Sequence, residues 1–331
     1  MSASILPPPR IGSLQLASAL ALAPMSGYAD AAFRVEIRRL GGLGLAWTEL
    51  VSPRKLLEGS EETGIILKRL PGDRPLGFHL YGAEEEYLVE AARRALDQGF
   101  DLLDFNLGCP VRKVTRKGGG AALLERPEEA ARLAGRLVAV AAGRAPVTAK
   151  IRLGPDRANL NAPELARMLS AAGVAALTVH GRTADEDYDR PADPAGIRAV
   201  VAAVPSIPVF ANGDVDSPAA ARRMLETTGA AGLAVGRAAL ADPWVLARIA
   251  ADLAGEVFSE PSRAERAAFL VGHFLTLLEM RGEEMACRSF RKWGELCAPA
   301  LGLSGEARER FAKLERAREI EALARELLAG G

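Results

Sequence analysis

Eight short apolar segments alternate with stretches rich in Ala, Leu, Arg and Glu. This alternation constrains the possible folds of the chain more than any other feature of the sequence. It is typical of βα units. Eight consecutive units favour a closed (β/α)₈ TIM barrel over a doubly wound sheet, which has fewer strands and reverses its strand order. The predicted strands lie near residues 20–25, 45–50, 75–81, 102–107, 147–153, 176–180, 208–212 and 232–236.

The strand-like segments stop after residue 257, and the remainder has the pattern of amphipathic helices interrupted between Pro299 and Gly305. We therefore predict an α/β fold with two units. A TIM barrel spans residues 1–257, and a small all-helical C-terminal domain spans residues 258–331.

Composition limits the classes of function. The formal net charge is +0, so any surface for nucleic acid must be local. Cys109, Cys287 and Cys297 are too few for a disulfide framework and lack metal-ligand spacing, which predicts a reduced, cytoplasmic protein without a metal. The sequence predicts neither a secretion signal nor a membrane span, and it gives no sign of an obligate protein partner.

Residues suited to a functional site lie at the ends of all eight predicted strands, where TIM barrels carry their chemistry, and at seven of these ends they include a polar side chain. A single polar residue at a strand end is more often a satisfied structural group, but eight such ends are harder to dismiss. The residues are Pro24-Met25, Thr48-Glu49, His79 to Tyr81, Asn106 to Cys109, Lys150 with Arg152, His180 to Thr183, Asn212 to Asp214, and Gly236-Arg237.

The last two strand ends predict a phosphate site. Glycine lets backbone N–H groups approach an anion, and Arg237 can add a bidentate contact; the alternative is a pair of simple tight turns. The phosphate could belong to FMN or to a sugar-phosphate substrate. Lys150 favours the flavin, since it can stabilise negative charge on a reduced ring, although an ion pair with a neighbouring strand carboxylate is the competing interpretation. No GxGxxG fingerprint follows the first strand, which favours FMN over a dinucleotide.

The run NLGCP at residues 106–110, continued by VRKVTRKGGGAALL to residue 124, resembles the tRNA-dihydrouridine synthase family, most closely its bacterial branch. The likeness extends, in order, through the whole barrel and into the tail. Its other segments are APMSGYAD (23–30), TEL near 48, VTAKIRLG (147–154), TVHGRT (178–183), PVFANGDV (208–215), VGRAAL (235–240) and FRKW (290–293).

The resemblance implies that NADPH reduces a bound FMN, which passes hydride to C6 of a uracil flipped out of the tRNA D-loop, while Cys109 protonates C5. A thiol with a pKa near 8.5 is mostly protonated at neutral pH and can still release its proton. A buried structural thiol is the alternative for Cys109, but its Gly and Pro neighbours favour a loop. Asn106 matches a substrate-side position. The predicted cofactor-binding residues are Pro24, Met25, His79, Lys150, His180, Asn212, Gly213, Asp214, Gly236 and Arg237.

Three segments depart from the family pattern. His79 stands where the family usually has glutamine, so the flavin environment is expected to differ. The segment ADEDYDRPADPAGI after residue 183 is more acidic than usual, and FRKW replaces a common R-K-H. Contacts with RNA are expected to differ accordingly.

Two basic clusters are candidate tRNA contacts. Arg112, Lys113, Arg116 and Lys117 follow the candidate acid, and Arg288, Arg291 and Lys292 share one face of a predicted tail helix. The predicted substrate-binding residues are Asn106, Arg112, Lys113, Lys117, Arg291 and Lys292. A solvated loop is the alternative for the first cluster.

Two other functions compete with tRNA reduction. One is an FMN barrel resembling dihydroorotate dehydrogenase that acts on a free pyrimidine, although the helical tail and the basic loop are unnecessary for a small substrate. The other is a tRNA-binding protein without catalysis, which the unusual His79 keeps open.

Overall fold

The computed structural model describes residues 6–329 and confirms the predicted TIM barrel. A hairpin of β1 (Arg10–Ile11) and β2 (Leu14–Gln15) precedes eight parallel strands, in which each strand pairs with its neighbours in sequence and the last pairs with the first. The barrel strands are β3 (Leu20–Leu22), β4 (Leu45–Trp47), β5 (Leu76–Leu80), β6 (Leu102–Leu107), β7 (Val147–Arg152), β8 (Ala176–His180), β9 (Val209–Asn212) and β10 (Gly232–Val235).

Helices cover the outside of the barrel, which is why nearly every strand residue is buried on both faces. They are α1 (Ala31–Leu40), α2 (Pro53–Leu57), α3 (Glu61–Ile66), α4 (Glu85–Asp97), α5 (Arg112–Thr115), α6 (Pro127–Ala141), α7 (Ala162–Ala171), α8 (Pro194–Ala203), α9 (Pro218–Thr228), α10 (Arg237–Ala241) and α11 (Val245–Ala254). A 3₁₀ helix spans Gly120–Glu125.

Four further helices form the tail: α12 (Arg263–Arg281), α13 (Glu283–Leu301), α14 (Gly305–Ala312) and α15 (Arg318–Ala329). The predicted boundary at residues 257–258 falls between α11 and α12, where Ser262 and Glu265 form a capping box that starts α12. The helix α13 continues through Pro299, and the predicted interruption lies just after it.

The hairpin closes the N-terminal end of the barrel. Ile11 and Leu16 are buried in an apolar cluster with Trp47 and Phe210, and the two strands are too short to have been predicted from periodicity. With that end filled by side chains, the opposite end of the strands is free to form a site.

The tail packs beside the C-terminal ends of the strands. Phe33 of α1 joins an aromatic cluster with His273 and Trp293, and burial lowers the pKa of His273 to about 3. At the end of α12, Arg281 lies 3.5 Å from Asp30. No helix among the described residues is long and apolar enough to cross a membrane.

Candidate active site

Two joined cavities occupy the C-terminal end of the barrel. The first, of about 550 Å³, extends over β9 and β10, and we call it the anion cavity. The second, of about 760 Å³, reaches from β5 and β6 to the tail and contains Cys109; we call it the thiol cavity. Both volumes are in the range of small-molecule sites. Five predicted cofactor-binding residues line both cavities: Pro24, Met25, Lys150, His180 and Arg237.

The turn after β9 forms one wall of the anion cavity. Asn212 donates a hydrogen bond to the carbonyl of Ala234, 2.7 Å away, which ties the turn to β10. Gly213 has a φ of +128°, and a β-carbon there would lie 2.6 Å from that of Ala192, so only glycine fits. Asp214 follows with a φ of +51°. Gly236 lines the same cavity.

Arg182 organises the electrostatics of this wall, although it was not among the predicted site residues. Its guanidinium is buried, binds both carboxylate oxygens of Asp214 at 2.7 Å, and donates to Nε2 of His180 at 3.1 Å. Burial, followed by the charges of Lys150 and nearby arginines, lowers the pKa of His180 to about 2. His180 is therefore neutral at physiological pH.

Arg237 remains available to a ligand. Half of its side chain (51%) is exposed, its guanidinium lies 3.1 Å from Asp214, and it stacks 4.0 Å from the centre of the Tyr188 ring. Burial raises the pKa of Asp214, but hydrogen bonds from Arg182 and from the Ala192 N–H outweigh that effect and lower it. Asp214 is therefore an anion that holds both arginines at the cavity.

Lys150 is the cation at the centre of the site. Burial, followed by the charge of Arg152, lowers the pKa of Lys150 to about 8. The predicted alternative, an ion pair with a neighbouring strand carboxylate, is not found among the described residues, since the Asp104 carboxylate on β6 binds His79 and Thr148 instead.

The loop after β6 carries Cys109 between the thiol cavity and a third cavity of about 700 Å³, which lies between α3 and the tail. The side-chain oxygen of Asn106 accepts the N–H groups of Gly108 (3.3 Å) and Cys109 (2.9 Å). Burial raises the pKa of the Cys109 thiol, although the N–H of Val111 and the charge of Lys150 act in the opposite direction. The thiol is therefore protonated at neutral pH.

His79 lies at the inner end of the thiol cavity and is almost fully buried. Its Nδ1 lies 2.5 Å from the Asp104 carboxylate, and its Nε2 lies 2.9 Å from the amide nitrogen of Asn106. Both ring nitrogens are thus used within the protein.

The predicted tRNA contacts are more scattered. Lys113 lines the third cavity beside Cys109, whereas Lys117 borders a small groove and Arg112 is exposed outside these cavities. Arg291 is half-buried and donates to the carbonyl of Leu314 at 2.9 Å, inside the tail. Lys292 is exposed, and its ammonium group lies 3.9 Å from the centre of the Tyr28 ring, which lines the thiol cavity.

Solved structures share the fold. The chain superimposes on histamine dehydrogenase from Rhizobium sp. 4-9 with a TM-score of 0.58 and 14% identity, covering 98% of this chain and 64% of that one. It also superimposes on 6-hydroxypseudooxynicotine amine oxidase from Pseudomonas geniculata with a TM-score of 0.57 and 15% identity, covering 81% of this chain and 52% of that one. The chain thus spans less than two thirds of either protein.

Sequence comparison identifies the family. The family model for dihydrouridine synthase (Dus) matches residues 21–325. The "Probable tRNA-dihydrouridine synthase" of Rhodobacter capsulatus is 40% identical over 284 residues, which are 85% of this chain and 86% of that protein. The tRNA-dihydrouridine synthase B of Pseudomonas aeruginosa is 38% identical over 307 residues, which are 92% and 91% of the two chains. The chain therefore belongs to the dihydrouridine synthase family.

Proposed function

We propose that this protein is a tRNA-dihydrouridine synthase that uses FMN, takes reducing equivalents from NADPH and reduces a uracil in the tRNA D-loop. The observation that carries the proposal is the position of Cys109. Its protonated thiol faces the same cavity as Lys150 and His180, so a proton donor and a group suited to a reduced flavin line one space.

The residues present fit FMN. The anion cavity is lined by a half-exposed arginine, Arg237, and by two glycines, Gly213 and Gly236, whose backbone N–H groups no side chain of their own shields from a phosphate. The thiol cavity, which joins it and is lined by Pro24, Met25 and Lys150, suits the ring system. Bound FMN would supply hydride transfer between NADPH and C6 of the uracil.

Lys150 and His180 would tune the ring through hydrogen bonds and charge. Charged Lys150 stabilises developing negative charge in a cavity with little water. Neutral His180 has its Nε2 occupied by Arg182, so its Nδ1–H is the donor left for the cofactor. This assignment makes His180 a donor only.

Cys109 would act as a general acid toward C5 of the uracil. Burial keeps the proton on sulfur until the carbanionic character of C5 develops, and the nearby Lys150 charge then favours the thiolate that remains. Asn106 fixes the loop and retains one amide N–H for a base.

The tRNA would enter along the third cavity, between the barrel and the tail. Lys113 lines this cavity, while Arg112 and Lys117 are exposed outside it, on α5 and just beyond. From the other side the all-helical tail would act as the tRNA-binding domain, with Lys292 at the rim and Arg291 holding α13 to the segment near Leu314. The basic residues on the barrel and on the tail are both suited to electrostatic contacts with tRNA phosphates.

The proposal is tested with purified protein. We expect the purified protein to show flavin absorbance and to release FMN on denaturation. NADPH oxidation should depend on tRNA that lacks dihydrouridine, and mass spectrometry of the digested tRNA should then detect dihydrouridine. A colourless protein that still binds tRNA would support a non-catalytic role. NADPH oxidation stimulated by free pyrimidines and not by tRNA would support the small-substrate alternative.

A further inference from the structure

We infer that His79 is a positioning residue that holds the Cys109 loop in place through Asn106. The inference rests on the proposed function, because the loop matters as the carrier of the acid. It assigns a use to the residue that departs from the family pattern.

A continuous chain of buried hydrogen bonds connects β7 to the loop. The hydroxyl of Thr148 donates to Oδ1 of Asp104 at 2.5 Å, and Oδ2 of Asp104 lies 2.5 Å from Nδ1 of His79. Nε2 of His79 lies 2.9 Å from Nδ2 of Asn106, whose Oδ1 accepts the N–H of Cys109 at 2.9 Å. These side chains are 94% or more buried, so the loss of a hydrogen-bond partner is costly.

Only one direction of donation satisfies the chain. Two backbone N–H groups, those of Gly108 and Cys109, point at one atom of the Asn106 amide, which must therefore be its oxygen. The amide nitrogen then faces His79 and donates, so Nε2 of His79 must carry a lone pair. The ring is thus neutral with its proton on Nδ1, where the Asp104 carboxylate accepts it. Asp104 selects the tautomer, and the tautomer selects the amide orientation.

Reversing the tautomer would release the loop. With a proton on Nε2, the His79 ring and the Asn106 amide nitrogen would both be donors at 2.9 Å, and the amide would have to rotate. Its nitrogen would then face the N–H groups of Gly108 and Cys109, which would lose their acceptor. The position of the thiol therefore depends on a ring that does not itself need to contact the uracil.

Two substitutions distinguish the contact that Nδ1 of His79 makes with Asp104 from the contact that Nε2 makes with Asn106. In His79→Asn the shorter amide can donate to Asp104 as Nδ1 does, but it cannot reach Asn106. In His79→Gln the longer side chain places its oxygen where Nε2 accepts from Asn106. A control is Thr148→Val, which removes a partner of Asp104 at the far end of the chain and leaves the link between His79 and Asn106 intact.

The test is hydrogen exchange of the Gly108 and Cys109 amides, measured by mass spectrometry on FMN-loaded protein without tRNA. We expect exchange at least about 10-fold faster in His79→Asn and close to wild type in His79→Gln and Thr148→Val. Equal exchange in His79→Asn and wild type, or equal acceleration in Thr148→Val, overturns the inference. These outcomes do not depend on tRNA activity, so they are distinct from failure of the proposed function.

Half-reactions supply the functional readout. Reoxidation by tRNA should slow about 10²-fold more than reduction by NADPH does in His79→Asn, whereas both half-reactions should stay within about threefold of wild type in Thr148→Val. Equal loss of both half-reactions overturns the positioning role. Should His79→Asn fail to fold, the nitrogen NMR shifts of His79 in the wild-type protein decide: a proton on Nδ1 is expected, and a proton on Nε2 overturns the inference.

Discussion

The carbonyl oxygen of Cys109 lies 2.6 Å from the position that a β-carbon on Gly120 would occupy. The glycine also has a φ of +59°, and the N–H of the next residue, Ala121, donates to that same carbonyl at 2.9 Å. The 3₁₀ helix that contains Gly120 therefore packs directly against the loop that carries Cys109. An added methyl group would displace one of the two segments.

We predict that Gly120→Ala will lose most dihydrouridine formation, with a fall in the free energy of unfolding of about 1–3 kcal/mol. Gly143→Ala is the matched control, because Gly143 also has a positive φ (+74°) but no atom within 4 Å of the added carbon. It should lose stability without losing activity. Urea unfolding and mass spectrometry of modified tRNA measure the two effects, and wild-type activity in Gly120→Ala would contradict the packing argument.

Arg237→Ala is expected to release FMN. A charge-assisted hydrogen bond contributes about 1.5–3 kcal/mol, which is about 10- to 100-fold in affinity. Arg222→Ala is the control, since Arg222 is similarly exposed and pairs with Asp252 on the barrel exterior. Flavin content is measured by absorbance after gel filtration. Full FMN content in Arg237→Ala would mean that the phosphate lies elsewhere.

The barrel could be predicted from the sequence because its signals are local. Most strands are short apolar runs followed by polar residues, as in the segment from Val209 to Asn212, and this pattern is set by burial on both faces. The β1–β2 hairpin could not be predicted, because two-residue strands have no periodicity. Its role depends on the burial of Ile11 and Leu16 against Trp47 and Phe210, which are distant in sequence.

The partners within the site could not be predicted, because they come from different strands. The sequence run from His180 to Thr183 includes Arg182, but nothing local indicates that it binds Asp214, 32 residues away. In the same way the sequence alone indicates that His79 departs from the family pattern, whereas its contact with Asp104 depends on the register of β5 and β6. Polar residues at strand ends identify the site, and register determines which of them interact.

Cys109→Ala is expected to bind FMN and to be reduced by NADPH at the wild-type rate, but to form dihydrouridine about 10²- to 10⁴-fold more slowly. The thiol is the proton donor in the proposal, and its removal leaves the anion cavity unchanged. Cys287→Ala, which removes a thiol buried in the tail, is the control. Rapid-mixing absorbance follows each half-reaction. Dihydrouridine formation at the wild-type rate by Cys109→Ala would rule out this thiol as the acid.

Lys150→Met should stabilise the flavin-free protein at neutral pH. Burial lowers the pKa of Lys150 from 10.5 to about 8, so keeping the side chain charged costs the folded state on the order of 3 kcal/mol below pH 8. Between pH 8 and 10.5 the unfolded state binds the proton and the folded state does not, so wild-type stability rises with pH. The advantage of Lys150→Met should therefore be largest at pH 7 and smaller at pH 9.5, as measured by urea unfolding. A constant difference across this range would contradict the lowered pKa.

The basic loop after Cys109 is expected to bind tRNA through phosphates. Within the described residues Lys113 and Lys117 form no ion pair, and Glu62, across the third cavity from Lys113, binds Lys55 at 2.7 Å instead. Each phosphate contact should contribute roughly 0.7 to 0.9 to the slope of log K against log salt. Changing both lysines to Ala should therefore weaken tRNA binding and reduce the slope by up to about 1.4 to 1.8.

The control for this double variant removes two positive charges from outer helices of the barrel. Arg167 of α7 and Arg198 of α8 are exposed and form no ion pair among the described residues, so their joint replacement by Ala changes the net charge equally but leaves the cavities intact. FMN content and NADPH oxidation without tRNA should be unchanged in both variants. If the Lys113 and Lys117 variant binds tRNA with wild-type affinity and slope, the loop is only solvated. The phosphate contacts would then lie on the other side of the third cavity, on the exposed Arg288 and Lys292 of α13.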